Sequence, residues 1–540
     1  MDWNLGDVFD FQGDNRAPDT IAIEQGERTL DWGELTKWSN NLATYLLERG
    51  LQPGAKVAVY GRNSIEYVVA LIATYKARLV YVNVNFRYRD EELSYLLDYT
   101  DTEALIFDRE FSEEVDRLRI RLGKVRSFIE IGPRDEPTVL GNADAFHAIV
   151  ESGDGAKLEG PRSPDDLTFI CTGGTTGMPK AVMWRQHDTF LIAARRETLG
   201  LGPPESWAEL RDAMFDLSHA TSFICAPLMH GTGMYIALTG LMFGARILLP
   251  SSHQFDPVAV IRTTMEKQVT HLPLIGDAFG KPVADALEED SELDLRSVEF
   301  IISSAAPMSL DVKVSLLSRA SKEAVLVDAI GASETASFGV SRLSRAKLDQ
   351  PPVIVMGRDV EVFTEDLERL HPGDSRPGFV ACGGPVPLGY YKDPAKSEQA
   401  FKEIDGKRYS IPGDWCKINA DGTLNFLGRG NVCINSGGEK IYPQEVEQAL
   451  LQSDDIYDAV VVGVADPRWG QAVTAILQMA KGKTLNSAQI RSSLKTKLAG
   501  YKIPRHFIAI DDIGRGPNGK ADYRQLANFA KDRVGRTGSD

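Results

Sequence analysis

Short β-branched runs alternate with longer helix-patterned stretches through most of the 540 residues, and this alternation constrains the fold more than any other feature. Residues 56–60 (Lys-Val-Ala-Val-Tyr) read as a strand, 64–76 as a helix and 79–84 as the next strand. Further strands are expected at 167–171, 222–226, 246–249, 298–303 and 325–329. Strand, helix and strand at crossover spacing predict α/β layers with largely parallel sheets. Asp256-Pro257 marks the start of an apolar-periodic helix over 258–266, since a first helical turn has no use for the N–H that proline lacks.

Prolines and glycines crowd between 372 and 390, which predicts turns between short strands in place of a helical layer. After Gly428-Arg429-Gly430 a compact α+β pattern follows: a helix over 443–452, strands over 457–464 and 472–479, a helix over 487–498 and a strand over 507–510. The expected architecture is therefore α/β. A large N-terminal domain, 1–428, holds layered α/β subdomains plus a β-rich subdomain. A small α+β domain follows, over 432–540.

The formal net charge of −16 argues against nucleic acid as a partner, because a polyphosphate backbone calls for a basic face. A small polyanion needs only a few placed cations and stays compatible with an acidic protein. The five cysteines are widely spaced with no CxxC pair, so neither a disulfide framework nor a zinc site is suggested. The first residues lack the basic start and apolar core of a signal peptide. The most apolar stretch, 235–249, contains Arg246 and is too short to span a bilayer. A cytoplasmic protein without a transmembrane segment is expected. A homodimer is compatible with the sequence but not read from it.

The most informative stretch is Thr172-Gly173-Gly174-Thr175-Thr176-Gly177-Met178-Pro179-Lys180, directly after the expected strand at 167–171. Glycines let backbone N–H groups converge on phosphate oxygens, threonine hydroxyls add donors, and Lys180 adds a point charge. It is not a Walker A loop: Pro179 stands where a glycine should precede the lysine, and Ala181 where Ser or Thr would hold magnesium. Nor does Gly231-Thr232-Gly233 make a dinucleotide fingerprint, since Ile236 occupies the third glycine position.

The Thr172–Lys180 stretch resembles the phosphate loop of the adenylate-forming superfamily, which includes acyl-CoA synthetases, firefly-type luciferases and peptide-synthetase adenylation domains. Further motifs follow in the family's order, so the resemblance runs from about Thr29 to Tyr523. It implies that His230, in Pro227-Leu228-Met229-His230-Gly231-Thr232-Gly233, lies near the reaction centre. It implies that Gly331, Ala332, Ser333, Glu334 and Thr335 form the second nucleotide motif, with Glu334 associated with magnesium. Ile330 stands where the family usually has an aromatic residue against adenine. The resemblance further assigns Asp414 to the ribose hydroxyls, a chemistry suited to a carboxylate that accepts two hydrogen bonds.

By the same resemblance Arg429 contacts the ribose, and Asn431 is the hinge residue where many relatives have Asp or Lys. Gly437, Gly438 and Lys440 belong to the tunnel for the pantetheine arm of coenzyme A. Lys520, in Arg515-Gly516-Pro517-Asn518-Gly519-Lys520, matches the mobile catalytic lysine. Together these imply an acyl-CoA synthetase using ATP, Mg2+ and coenzyme A on a small-molecule carboxylic acid. The acid is first joined to AMP with loss of pyrophosphate, and the acyl group then passes to the CoA thiol.

Residues 172–185 and 274–279 look similar to actinobacterial ligases for fatty acids and steroid side-chain acids. The expected pocket stretches, 229–237 and 301–307, offer Met, Tyr, Ile and small residues with no internal cation, which favours a bulky apolar acid over an amino acid. Three alternatives stay open: an adenylation enzyme loading a separate acyl carrier protein, a luciferase-type oxygenase, and a non-catalytic nucleotide- or lipid-binding relative.

Overall fold

The computed structural model of the protein describes residues 3–172, 178–194, 204, 206–348, 353–429, 433–436, 439–466, 469–495, 497–516 and 519–537. Two large sheets carry the first four-fifths of the chain. In one, Lys56–Tyr60 pairs in parallel with Val80–Asn83 on one side and Thr102–Asp108 on the other. Leu167–Thr172 adds to Val80–Asn83, and Lys180–Arg185 then returns antiparallel. The helix Ile65–Lys76 makes the crossover between Lys56–Tyr60 and Val80–Asn83. It is capped by the Ser64 hydroxyl, which accepts from the Tyr67 N–H, and buried all round, as a helix sandwiched between layers must be.

The second sheet has a parallel half and an antiparallel half. Arg246–Leu249, Thr221–Phe223, His271–Leu274, Phe300–Ser304 and Val325–Ala332 run side by side in parallel. From Ala336–Ser344 onward the pairing turns antiparallel, through Ile354–Met356, Leu424–Arg429 and Asp414–Ile418 to Gly378–Cys382. The Pro/Gly-crowded segment contributes two short strands, Gly378–Cys382 and Gly389–Tyr390, joined by turns. The strand expected at 222–226 is shorter, Thr221–Phe223, because the chain leaves the sheet to start the turn before His230.

A third sheet is built from the C-terminal part. Ile456–Asp466 and Gly470–Met479 form a long antiparallel pair, His506–Ile510 adds in parallel, and the hairpin Ile434–Ser436/Glu439–Ile441 completes it. Its cores are separate from those of the larger sheets, with Pro443–Leu450 and Ser487–Leu494 covering one face and Tyr523–Thr537 the other. Helices for which the sequence carried no expectation include Leu5–Asn15, closed by an Asn4/Asp7 capping box, Trp32–Glu48 and Tyr523–Thr537.

Candidate active site

The described ends of the Gly/Thr stretch, Thr172 and Lys180, belong to two antiparallel strands. Thr172 ends one strand directly opposite Lys180, the first residue of the next. Gly173, Gly174, Thr175, Thr176 and Gly177 lie outside the described residues. Lys180 reaches across to the other sheet, where its Nζ donates to Glu334 Oε1 at 2.8 Å, and it also donates at 2.7 Å to the hydroxyl of Tyr390, on the neighbouring strand of its own sheet. The Tyr390 hydroxyl donates in turn to the same Glu334 oxygen at 2.8 Å, and the ammonium lies 4.1 Å from the centre of the Tyr390 ring. Burial works against a charged Glu334, but Lys180 and Tyr390 outweigh it and hold the carboxyl below its ordinary range. The carboxylate is thus ready to face a cation or a phosphate-bound metal without first losing a proton.

Trp184 makes a second tie between the sheets, its indole N–H donating to the Ser333 carbonyl at 2.8 Å. Within the same turn, Thr335 Oγ1 accepts from the Ala332 N–H at 3.1 Å, folding Gly331–Thr335 into a tight corner. Ala332, Gly331 and Ser333 line the cavity alongside Glu334 and Thr335. Ile330 lines it too, packed against the core of the β-rich region.

His230 caps the helix Gly231–Met242 with extended backbone geometry. The approach to it is fixed by two asparagines, Asn83 from a strand of the first sheet and Asn63 from the turn before the helix Ile65–Lys76. Asn63 donates to the Ile224 and Ala226 carbonyls and accepts from Leu228 N–H. Buried Asn83 accepts from Cys171 N–H at 2.6 Å and donates to the carbonyls of Cys171 and Met229 at 2.9 and 2.6 Å. One side chain thereby joins the residue before Thr172 to the residue before His230. Burial first, and then the charges of Lys520 and Arg87, push the His230 imidazole down to about 4, so it is neutral near pH 7.

Lys520 comes from the C-terminal sheet on a loop closed by Gly516 N–H to Lys520 carbonyl and Gly519 N–H to Gly516 carbonyl hydrogen bonds. Gly519 has φ +68° and is wedged against Ala306, Ile275 and Ala278; a Cβ there would stand 2.9 Å from that of Ala306. Arg515 holds the loop from behind, donating to Gly519 carbonyl at 3.2 Å while pairing two-pronged with Asp458 at 2.7 and 2.9 Å. Asp414 is buried and faces Arg429 across an antiparallel pair. Asn431, Gly437 and Gly438 lie outside the described residues; Lys440 sits opposite Asn435 in the C-terminal hairpin.

One cavity of about 1830 Å³ is lined by Thr172, Lys180, His230, Glu334, Asp414 and Lys520. Residues from three sheets thus converge on a single space. Residue-type patterning could not point to Tyr390, Asn83, Arg515 or Asp458, since each acts through a partner distant in the chain. The Gly389-Tyr390 pair was visible only as part of a turn-rich segment.

A model for AMP-binding enzymes matches residues 11–391, and one for the AMP-binding enzyme C-terminal domain matches 445–520. The chain belongs to the AMP-binding enzyme family. Among relatives in this family, a medium/long-chain-fatty-acid–CoA/3-oxocholest-4-en-26-oate–CoA ligase of Mycobacterium marinum is 37% identical over 535 residues, 96% of this chain and 95% of that protein. A 3-oxocholest-4-en-26-oate–CoA ligase of Rhodococcus rhodochrous is 35% identical over 550 residues, 100% of this chain and 97% of its own. Of solved structures, ATP-bound MatB from Rhodopseudomonas palustris superposes with a TM-score of 0.81 at 24% identity, covering 98% of this chain and 100% of that one. The anthranilate CoA ligase AuaEII with anthranoyl-AMP gives 0.83 at 19% identity, covering 99% of this chain and 98% of that one. These two establish the fold.

Proposed function

We propose that this protein is an AMP-forming acyl-CoA synthetase for a hydrophobic carboxylic acid of the fatty-acid or steroid side-chain type. The observation that carries the reading is the convergence of Lys180, His230, Glu334, Asp414 and Lys520 on one cavity. Full-length relatives at 35 and 37% identity that are CoA ligases for such acids support the acid class.

In the first step the substrate carboxylate attacks the α-phosphorus of ATP, and the bond to the bridging oxygen of pyrophosphate breaks. Two anions must meet, so the protein's contribution is placement and charge neutralisation. Lys520 stands between carboxylate and α-phosphate, and Lys180 with the amides and hydroxyls of 172–177 holds the departing phosphates. Asp414 and Arg429 hold the ribose, and Gly331–Thr335 borders the nucleotide. A neutral His230 lines the wall between acid and nucleotide and adds no charge to repel Lys520.

Magnesium fits Glu334: Lys180 and Tyr390 engage Oε1, which leaves the other carboxylate oxygen to reach a cation. No cluster of three or more His, Cys, Asp or Glu side chains suited to a metal occurs among the described residues. The remaining ligands would therefore come from phosphate oxygens and water, as is usual for Mg2+. Bound there, the ion supplies charge to the leaving pyrophosphate.

In the second step the C-terminal domain, 432–540, turns about 429–431 and withdraws Lys520. Gly437, Gly438 and Lys440 then border the path of the CoA thiol, which attacks the acyl carbonyl and expels AMP. A cytoplasmic location and a homodimer complete the proposal; no helix among the described residues is long and apolar enough to cross a membrane. The test is a panel of acids with ATP and Mg2+, following AMP and acyl-CoA with and without CoA. Acyl-AMP that forms but passes only to a carrier protein, never to CoA, would replace this reading with that of a carrier-loading enzyme.

A further inference from the structure

The cavity does not end at the reaction centre. It follows the helix Gly231–Met242, whose Thr232, Tyr235, Ile236, Thr239 and Gly240 line it at successive turns. From His230 to Gly240 is ten residues, roughly 15 Å at about 1.5 Å of rise per residue. Near Gly240 the helix packs on the strand Arg246–Leu249. Gly240 packs on Ile247, where a Cβ would come within 2.7 Å of Ile247 Cδ1. Ile247 is the register partner of Ser222, and Ser222 that of His271. Ser222, Ala245 and His271 accordingly line the distal part.

His271 is out of place in such a wall. It is 97% buried (3% relative exposure) and stacks on Phe300 with ring centres 4.9 Å apart. Its Nδ1 is satisfied by the Thr270 hydroxyl at 2.9 Å. Its Nε2 is also buried and meets no hydrogen-bond partner among the described residues. Burial, and secondarily His219, keep the ring uncharged, pushing its pKa to about 4. A buried, unpartnered ring nitrogen carries a desolvation penalty that an apolar residue of the same size would not.

Resting on the acyl-CoA synthetase reading, we infer that His271 is a specificity residue that recognises an oxygen, hydroxyl or ketone, carried far from the carboxyl end of the acid. Neutral imidazole has one donor and one acceptor nitrogen. If the Thr270 hydroxyl donates to Nδ1, Nε2–H donates and both a ketone and a hydroxyl satisfy it. If Nδ1–H donates to Thr270, Nε2 accepts and only a hydroxyl does. The substrate class is thus an elongated apolar acid with one distal polar group, not a plain hydrocarbon chain.

The test compares matched acids that differ only in a distal oxygen: ω-hydroxy, ω-1-keto and unsubstituted straight chains of increasing length, and a fused-ring acid with and without a ring ketone. Calorimetric dissociation constants and kcat/KM for AMP release are measured for the wild type, His271→Leu and His271→Gln. The wild type is expected to favour the oxygenated member of at least one pair by about tenfold. His271→Leu should abolish or invert that preference and tighten binding of the unsubstituted acid, while His271→Gln, which keeps a polar atom near the same place, should restore part of it. Calorimetric binding also gives a result if His271→Leu turns out inactive. Equal handling of every pair by the wild type, or a preference that survives in His271→Leu, overturns the inference whatever the ligase activity. Selective binding without AMP release would instead overturn the synthetase reading and leave the role of His271 standing.

Discussion

Lys281, on the helix Gly276–Glu289, lies with its ammonium 3.5 Å from the centre of the Tyr457 ring and donates to the Tyr457 carbonyl. This joins the large domain to the strand that also bears Asp458, the partner of Arg515. The same helix presents Ala278 to Gly519, so one face grips the C-terminal domain at two points. Lys281→Ala should loosen the placement of Lys520 without touching the nucleotide. Cation–π contacts contribute about 0.5–2 kcal/mol, so adenylate formation should slow several-fold. Thioester formation from supplied acyl-AMP should be unchanged or faster. Equal slowing of both half-reactions would show that the contact serves folding instead of docking.

Tyr390→Phe removes one hydrogen bond to Lys180 and one to Glu334 while keeping the ring under the ammonium. With about 1 kcal/mol per net hydrogen bond, adenylate formation should fall on the order of tenfold, mostly in kcat. Isotope exchange between pyrophosphate and ATP is the direct measurement. A variant with wild-type exchange would mean that Lys180 and Glu334 hold their places without Tyr390.

Lys520→Ala should reduce adenylate formation by about a hundredfold or more, the scale on which removing a group that neutralises developing charge is felt. The transfer of the acyl group from supplied acyl-AMP to CoA should persist. Burst measurements of AMP and acyl-CoA separate the two steps, and a matching loss in both would contradict the assigned role.

What could be read from the chain beforehand divides along physical lines. Strands such as Lys56–Tyr60 and helices such as Ile65–Lys76 announce themselves through run length and residue type, a short β-branched run and a longer apolar run, although neither alternates buried with exposed positions. Lys180 stood out through the glycines and threonines of its own run, whereas Glu334 and Lys520 were singled out only by the resemblance of their motifs to the adenylate-forming superfamily. Asn83 was not. A lone asparagine at the end of a strand says nothing of Cys171 and Met229, which its side chain joins across 88 and 146 residues of chain. Tyr390 and Lys281 escaped for the same reason, since their partners become neighbours only once the sheets and the C-terminal domain have assembled. His271 drew no expectation from the sequence, and only the register with Ser222 places it on the cavity wall.

Glu447 gives the C-terminal domain a pH dependence of its own. Its carboxyl is buried, accepts from Tyr523 and from the Val461 N–H, and burial pushes it up to about 7 against an ordinary 4.5. A raised folded-state value means that the native domain binds the proton more tightly than the unfolded chain. The contribution is therefore complete below about pH 4.5 and is lost as pH rises through about 7. At about 1.4 kcal/mol per unit it amounts to at most about 3.5 kcal/mol. Hydrogen exchange of amides in Ile456–Asp466 should accelerate, relative to Glu447→Gln, between pH 5 and 8 once intrinsic rates are removed. Parallel behaviour of the two proteins would show that Glu447 is ionised in the fold across this range.

Gly233 and Gly231 offer a paired test of how tightly the entry to the His230 helix is built. A Cβ on Gly233 would stand 2.4 Å from the Pro227 carbonyl oxygen and 2.7 Å from that of Ala226, both backbone atoms with no side-chain freedom to yield. The Pro227 oxygen accepts from the His230 N–H, and the Ala226 oxygen accepts from Asn63, so relieving the clash means breaking the turn that presents His230. A Cβ on Gly231 would meet the Tyr235 ring at 3.6 Å and Ile170 Cγ2 at 4.0 Å, both ordinary contacts. Gly233→Ala should therefore destabilise the protein by about 1–3 kcal/mol, as overpacking against fixed atoms does, and Gly231→Ala by much less. Denaturant unfolding followed by tryptophan fluorescence measures both. The asymmetry is the decisive quantity: two variants of equal stability would mean that the chain at 226–230 moves aside freely, and that the asparagine clamp does not set the position of His230.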